Sequence, residues 1–254
     1  IPSSWLNMGA NWTGEIVCPL AGFNNYKNSK LLQWLQGNWS VSTGGQWGGN
    51  LSWKFNSGTE ALTLTGVGGD MPDLIDGRQP WYTLNSQIRK AVIDNFTSVG
   101  KYAFAHSSIK EIQWPSKRMK LIDYRSFYYC NSLRELTLPA QVDLVATDAF
   151  ETCAQIYSLT VPAGVKALGQ EFMPCSRLTH IKFEGQQMPQ LNADCGIQNN
   201  SHKTFAHPHI KGAVSFPAGA DANYASLWSE LPEMWRTADG QLTDHMAYTL
   251  RHGV

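Results

Sequence analysis

From residue 88 onward, apolar residues return with a period far longer than a helix turn or a strand repeat. Phe104, Phe127, Phe150 and Phe172 stand 23, 23 and 22 residues apart. Val99, Ile122 and Val145 precede the first three by five positions, and Leu168 precedes the fourth by four. Cys130, Cys153 and Cys175 follow the last three by three, whereas the first coil runs one residue short and offers Ser107. After each Phe comes a short apolar ladder: Ile109, Ile112, Trp114; Leu133, Leu136, Leu138; Ile156, Leu159, Val161; and Leu178, Ile181, Phe183. The last two members of each ladder are two apart, so both point to one face of a short strand. Pro115, Pro139 and Pro162 close three of the four, as expected where a residue without an N–H ends a ladder; Glu184 stands in the fourth. Partial coils flank the set at Ile88, Ala91, Ile93 and at Val214, Phe216. One coil cannot bury its own apolar face, so the coils must stack. The expected architecture is mainly β with short helical or 3-10 arcs: a solenoid of about six coils whose strands form one parallel sheet, the Phe rings stacked inside it.

The same alternation turns the remaining strand positions outward. They are Glu111, Gln113, Glu135, Thr137, Ser158, Thr160, His180 and Lys182. Solenoids bind along such extended faces, and this row runs from acidic at one end to His and Lys at the other.

Composition shifts before the repeats begin. Six of the ten Trp residues (Trp5, Trp12, Trp34, Trp39, Trp47 and Trp53) precede residue 57. The chain divides into a Trp-rich segment of unassigned fold (1–43), a β-rich N-terminal cap (44–87), the solenoid with its closing coil (88–230) and a C-terminal tail (231–254). Trp47, Trp53 and Trp81 suit the core of the cap. Trp5, Trp12, Trp34 and Trp39 are the alternative binding set, since an exposed indole can stack on a sugar ring.

The unit V-x-x-I-G-x-x-A-F-x-x-C-x-x-L-x-x-I-x-I-P, clearest in Val99-Gly100-Lys101-Tyr102-Ala103-Phe104 and Ala149-Phe150-Glu151-Thr152-Cys153, resembles the BspA-like class of bacterial leucine-rich repeats. The lead-in, with Leu51-Ser52-Trp53-Lys54-Phe55, Met71-Pro72 and Pro80-Trp81, resembles that family's N-terminal cap, and Phe216 to Tyr224 resembles its closing segment. The likeness covers roughly residues 44 to 236. It implies a right-handed leucine-rich-repeat solenoid, secreted by or displayed on a bacterium, that binds a host or neighbouring-cell protein. It brings no catalytic residues and no ligand residues to carry over.

Charge and motifs narrow the rest. Net charge is zero and only 16% of residues are charged, which argues against a duplex nucleic-acid binder. The densest basic stretch, Lys117, Arg118 and Lys120, suits a solvated turn. No apolar run approaches the ~18 residues of a membrane span, so any lipid anchor would lie outside this stretch. Residue 1 is Ile with no charged-then-apolar leader after it, as in a mature or trimmed product. Five cysteines cannot all pair within one chain, and buried free thiols are expected at Cys130, Cys153 and Cys175. Asp194, Cys195, His202, His207 and His209 carry metal-binding atoms at a spacing that fits no zinc motif, and a polar insertion is expected there. Asp70, Asp73 and Asp76 do not have the spacing of a helix-loop-helix calcium loop. Gly44 to Gly49 lacks the Gly-Lys-Ser/Thr of a phosphate loop and is expected to make tight turns. There is no Gly-x-Ser-x-Gly elbow, no His-Glu-x-x-His and no papain-like Cys context. The expectation is therefore a recognition module without catalysis or cofactor, taking a protein on the outer strand row. A glycan taken by the Trp set, or a spacer role in a surface assembly, stands as the alternative.

Overall fold

A computed structural model describes residues 13–30, 32, 38–170, 175–193, 203–205, 212–231 and 235. The predicted ladders form parallel strands. Glu135–Thr137, Ser158–Val161, His180–Phe183 and Ala213–Ser215 lie side by side, coil upon coil. The preceding strands, Lys90–Phe96 and Glu111–Gln113, continue a six-stranded sheet that begins in the cap with Thr13–Val17, Asn38–Trp47, Leu51–Asn56 and Ala61–Gly69. The first pair is parallel, the next two are antiparallel hairpins, and from Ala61–Gly69 onward the pairing is parallel. The strand Asn38–Trp47 thus runs across the boundary expected between residues 43 and 44, and residues 13–17 join the cap sheet.

The expected single sheet and helical arcs need correction. A second parallel sheet lines the far side of the coils, through Ser98–Val99, Met119–Ile122, Gln141–Val145, Ala167–Gly169 and Gln190–Ala193. It places Val99, Ile122, Val145 and Leu168 inward, all fully buried. The turn after it is not helical, because residues on either side of each Phe take left-handed backbone: Tyr102 and His106 (φ 56° and 62°), Arg125 and Tyr129 (53° and 61°), Asp148 and Thr152 (57° and 60°). Two such residues four apart break any helix, and they free the backbone to bond to the next coil. Phe104 N donates to Ser126 O (2.7 Å) and His106 N to Tyr128 O (2.7 Å); Phe127 N and Tyr129 N repeat this one coil on, to Ala149 O and Glu151 O (2.9 Å each).

Inside, Phe104, Phe127 and Phe150 stack with centroids 5.1 and 4.9 Å apart and planes within 7° and 3°. Phe172, expected next in this column, lies outside the described residues. Beside the rings run the buried thiols of Cys130 and Cys153, donating to Phe104 O (3.3 Å) and Phe127 O (3.2 Å). Burial pushes the Cys130 and Cys175 thiols well above the ordinary range, which suits packing rather than reactivity.

The ends are sealed by aromatic residues. Trp53 and Trp81 are buried in the cap as expected, but Trp47 is 38% exposed. It sits at the end of its strand, beside the turn to Leu51. At the other end, Phe216 stacks on Tyr224 (4.5 Å, 4°), and Phe183 meets the same ring at 5.2 Å. Trp235, assigned to the tail from sequence, is fully buried against Gly212, where a Cβ would stand 2.2 Å from the indole.

Tyr224 gives the first testable consequence. Its hydroxyl donates to Gly185 O (2.8 Å) within the core, and burial pushes its pKa up to about 12. The unfolded phenol titrates near 10. The stabilisation is therefore whole below about pH 10 and is lost as pH rises through about 12. Tyr224→Phe should cost about 1 kcal/mol at neutral pH, and its denaturation midpoint should fall less than the wild type's between pH 10 and pH 12. Equal slopes for the two proteins would refute the assignment.

Candidate functional site

The eight outward positions emerge on one side of the strands. Glu111, Gln113, Glu135, Thr137, His180 and Lys182 are exposed, and Ser158 and Thr160 are half-buried between their neighbours. Pairing registers align Glu135, Ser158, His180 and Ala213 in one file and Thr137, Thr160, Lys182 and Ser215 in the next. Glu111 and Gln113 are not in this sheet. They end the cap-side sheet, aligned with Lys90 and Val92. The interruption falls after the coil that is one residue short, where Trp114 donates its indole N–H to Thr137 O (2.7 Å) and packs its edge on Phe127 (5.6 Å).

Local contacts reshape the charge trend along the row. Glu111 pairs with Lys90 at 2.7 Å and Lys182 with Glu184 at 2.9 Å, which offsets the two ends. Glu135 accepts the Tyr157 hydroxyl, and that bond raises the Tyr157 pKa. His180 Nδ1 lies 2.8 Å from Thr179 Oγ1. Around this end the surface dips into a hollow of about 390 Å³, whose walls are Tyr157, Ser158, Thr160, His180, Lys182 and Ser215. Two small side chains, Ser158 and Thr160, make the floor low, while Tyr157 and Lys182 form the rim. The hollow offers hydroxyls, an imidazole and an ammonium.

A second and larger hollow, about 750 Å³, opens on the same face of the cap sheet. Ser42, Gln46, Ser52, Lys54, Thr63 and Thr65 line it, and Val17 stands on its edge. Lys54 is held by Glu15 (2.7 Å), and that bond keeps the Glu15 carboxyl below its usual range. Gly44 accounts for the depression. Contrary to the expected tight turn, Gly44 and Gly45 both lie within the strand Asn38–Trp47, and only Gly48 (φ 61°) turns the chain. A Cβ on Gly45 would come within 3.2 Å of the Trp53 indole nitrogen, and one on Gly44 within 2.4 Å of Trp53 O. Gly45 makes room for the indole on the core face, and Gly44, paired with Lys54, leaves the outer face without a side chain there. This cavity was missed from sequence. Its signal was the polar alternation of Ser52, Lys54 and Asn56 opposite a glycine pair.

The other candidates resolve differently. Trp5, Trp12 and Trp34 lie outside the described residues, as do Asp194, Cys195, His202, His207 and His209. Trp39 is half-buried with its ring across Gly14, where a Cβ would stand 2.2 Å away. Asp70, Asp73 and Asp76 each serve a different partner: Thr97 (2.5 Å), Lys101 (2.9 Å) and His106 (3.0 Å). Among the described residues, no three His, Cys, Asp or Glu side chains gather to hold a metal. Arg118 bonds to Asp143, and Lys120 lies 3.5 Å from Asp70, so these two bases of the stretch are tied to acids. No helix among the described residues is long and apolar enough to cross a membrane.

No curated protein matches the sequence. Solved structures similar to the chain include three leucine-rich repeat or vaccine-antigen proteins. One is a leucine rich repeat protein of T. pallidum (15% identity over 81% of this chain and 94% of that one, TM-score 0.38). Another is the pneumococcal vaccine antigen PcpA (15% identity, 86% of this chain, TM-score 0.48), of whose length the chain covers 53%. The third is a leucine-rich repeat protein from Eubacterium ventriosum (14% identity, 70% and 79%, TM-score 0.26). Residues 85–207 match the model of the BspA type leucine rich repeat region in six copies. With its stacked parallel coils, this stretch is a BspA-type leucine-rich repeat region.

Proposed function

We propose that the chain is a non-catalytic recognition module of a bacterial surface or secreted protein, and that the outer strand face takes a protein ligand. One observation carries this reading: Glu135, Thr137, Ser158, Thr160, His180 and Lys182 lie in two aligned files around a hollow of about 390 Å³. A small concavity with a few convergent polar groups on a rigid sheet is the usual form of an anchor pocket, into which one partner side chain inserts. Glu111 and Gln113 extend the face beyond the interruption at Trp114. The family resemblance adds the expectation of export.

The test is capture of arrayed extracellular-matrix proteins by the purified chain at physiological salt. Thr160→Arg fills the hollow, and Glu135→Lys reverses the one acidic residue of the row bound to no cation. Each should weaken a captured partner at least tenfold, about 1.4 kcal/mol. Both variants change a surface position and should melt as the wild type does. Retention of full binding by both would remove the sheet face from consideration.

A further inference from the structure

The coils have a third side, made of the turns around each buried Phe, and in the first two coils it is aromatic. His106 is its centre. The Tyr82 ring lies 6.1 Å away edge-on, Tyr128 5.1 Å away edge-on, and Tyr129 5.6 Å away at a tilt of 38°. Beside this group, Arg125 lies over the rings of Tyr124 (4.8 Å) and Tyr128 (5.1 Å), and Tyr102 meets Tyr124 at 6.1 Å. Tyr82 and Tyr129 are 42% and 47% exposed, uncommonly open for rings held in a contact network.

The fold does not ask for these side chains. Tyr102, His106, Arg125 and Tyr129 all occupy left-handed backbone, where Gly or Asn is cheapest. The third coil makes the same turn with Asp148 and Thr152 at the equivalent positions. Burial does not explain the rings either, since the buried column is formed by Phe104, Phe127 and Phe150 behind them. An aromatic patch confined to the cap and two coils, at positions that disfavour it, points to a ligand.

The charges bordering the rings indicate which kind. Both signs stand there: Asp73 pairs with Lys101 (2.9 Å) and Arg125 with Glu151, while Asp76 lies in hydrogen-bond contact with His106 (3.0 Å). Such a border favours neither a polyanion nor a polycation. A protein would have to desolvate these pairs to form the dry centre of an interface, at a cost that favours a thinner partner. A sugar ring meets both requirements at once. Its C–H face lies on a tyrosine ring, while its hydroxyls reach the carboxylate and imidazole at the edge. We propose that Tyr82, His106 and Tyr129 form a platform for a neutral oligosaccharide, on a different side of the coil from the sheet face.

The experiment is isothermal titration of the full chain with maltohexaose, cellohexaose, mannohexaose and N-acetylated chitohexaose, with heparin as an anionic comparison. At least one neutral hexasaccharide should bind the wild type. Tyr129→Ala and Tyr82→Ala should each weaken it at least tenfold, Tyr129→Phe should retain most of the affinity because the ring remains, and Glu135→Lys on the sheet face should leave it unchanged. Both tyrosines are open enough that loss of binding with an unchanged melting curve reports on the site. The platform is overturned if none of the four sugars binds, if Tyr129→Ala and Tyr82→Ala bind as the wild type does, or if heparin alone binds. A protein captured from the matrix array and lost in Tyr129→Ala, with no sugar bound, would replace the glycan with a protein partner.

Discussion

Replacing Phe127 with alanine should remove about 4 kcal/mol of stability, the largest loss expected of a single change within the repeats. The ring is fully buried, stacked between Phe104 and Phe150, with the Trp114 edge against it. Three neighbours would therefore lose contacts at once. Collapse into the space is hindered because the backbone is tied on both sides, Phe104 N to Ser126 O and Phe127 N to Ala149 O. A site that cannot close retains its cavity and takes the upper end of the cost range. Offset stacking between rings adds about 1 kcal/mol beyond area. In a solenoid each coil touches only its neighbours, so the damage should also split the unfolding transition. Urea denaturation followed by Trp fluorescence and by circular dichroism would show both effects. A loss under about 1 kcal/mol, with coincident transitions, would mean that the column fills space without holding the coils together.

The Phe column was legible in the sequence because burial imposes the same chemistry at each coil: Phe104, Phe127 and Phe150 have no freedom to vary. The outward row was legible for a related reason, since a strand with one face in the core must alternate, and Glu135, Thr137, His180 and Lys182 are exposed as that rule requires. What stayed hidden depended on pairing between distant residues. The second sheet rests on runs as short as Ser98–Val99, too brief for alternation to show. The left-handed turns carry Tyr, His and Arg in place of Gly or Asn, so the usual turn letters are missing. The break between the strands of Gln113 and Glu135 coincides with the coil whose turn is one residue short. The cap hollow lies where Gly44 pairs with Lys54 on the outer face of a hairpin, a relation that neither segment states alone.

The cap also contains the second large effect. Within the repeats, the N–H groups of Phe104 and His106 donate to Ser126 O and Tyr128 O of the next coil. The carbonyls at the corresponding places in the first coil, Ala103 O and Ala105 O, have no earlier coil to serve them. Side chains take over: Trp81 Nε1 donates to Ala103 O (3.2 Å) and Asn85 Nδ2 to Ala105 O (2.9 Å), with Gln79 Nε2 on Tyr102 O (2.7 Å). The cap thus presents an indole and two amides in the pattern that a backbone would supply. Trp81 is also fully buried, with Trp53 at 5.8 Å. Trp81→Ala should therefore cost about 4 kcal/mol, combining a cavity with an orphaned buried carbonyl. Trp81→Phe keeps much of the volume and isolates the hydrogen bond, at about 1 to 3 kcal/mol. Because coupling passes only between neighbouring coils, the amides of Phe104 and His106 should lose protection from hydrogen exchange in both variants. Those of Leu159 and Thr160, two coils further on, should keep theirs. If Trp81→Phe leaves the first coil's protection intact, the indole fills the cap without substituting for a missing coil.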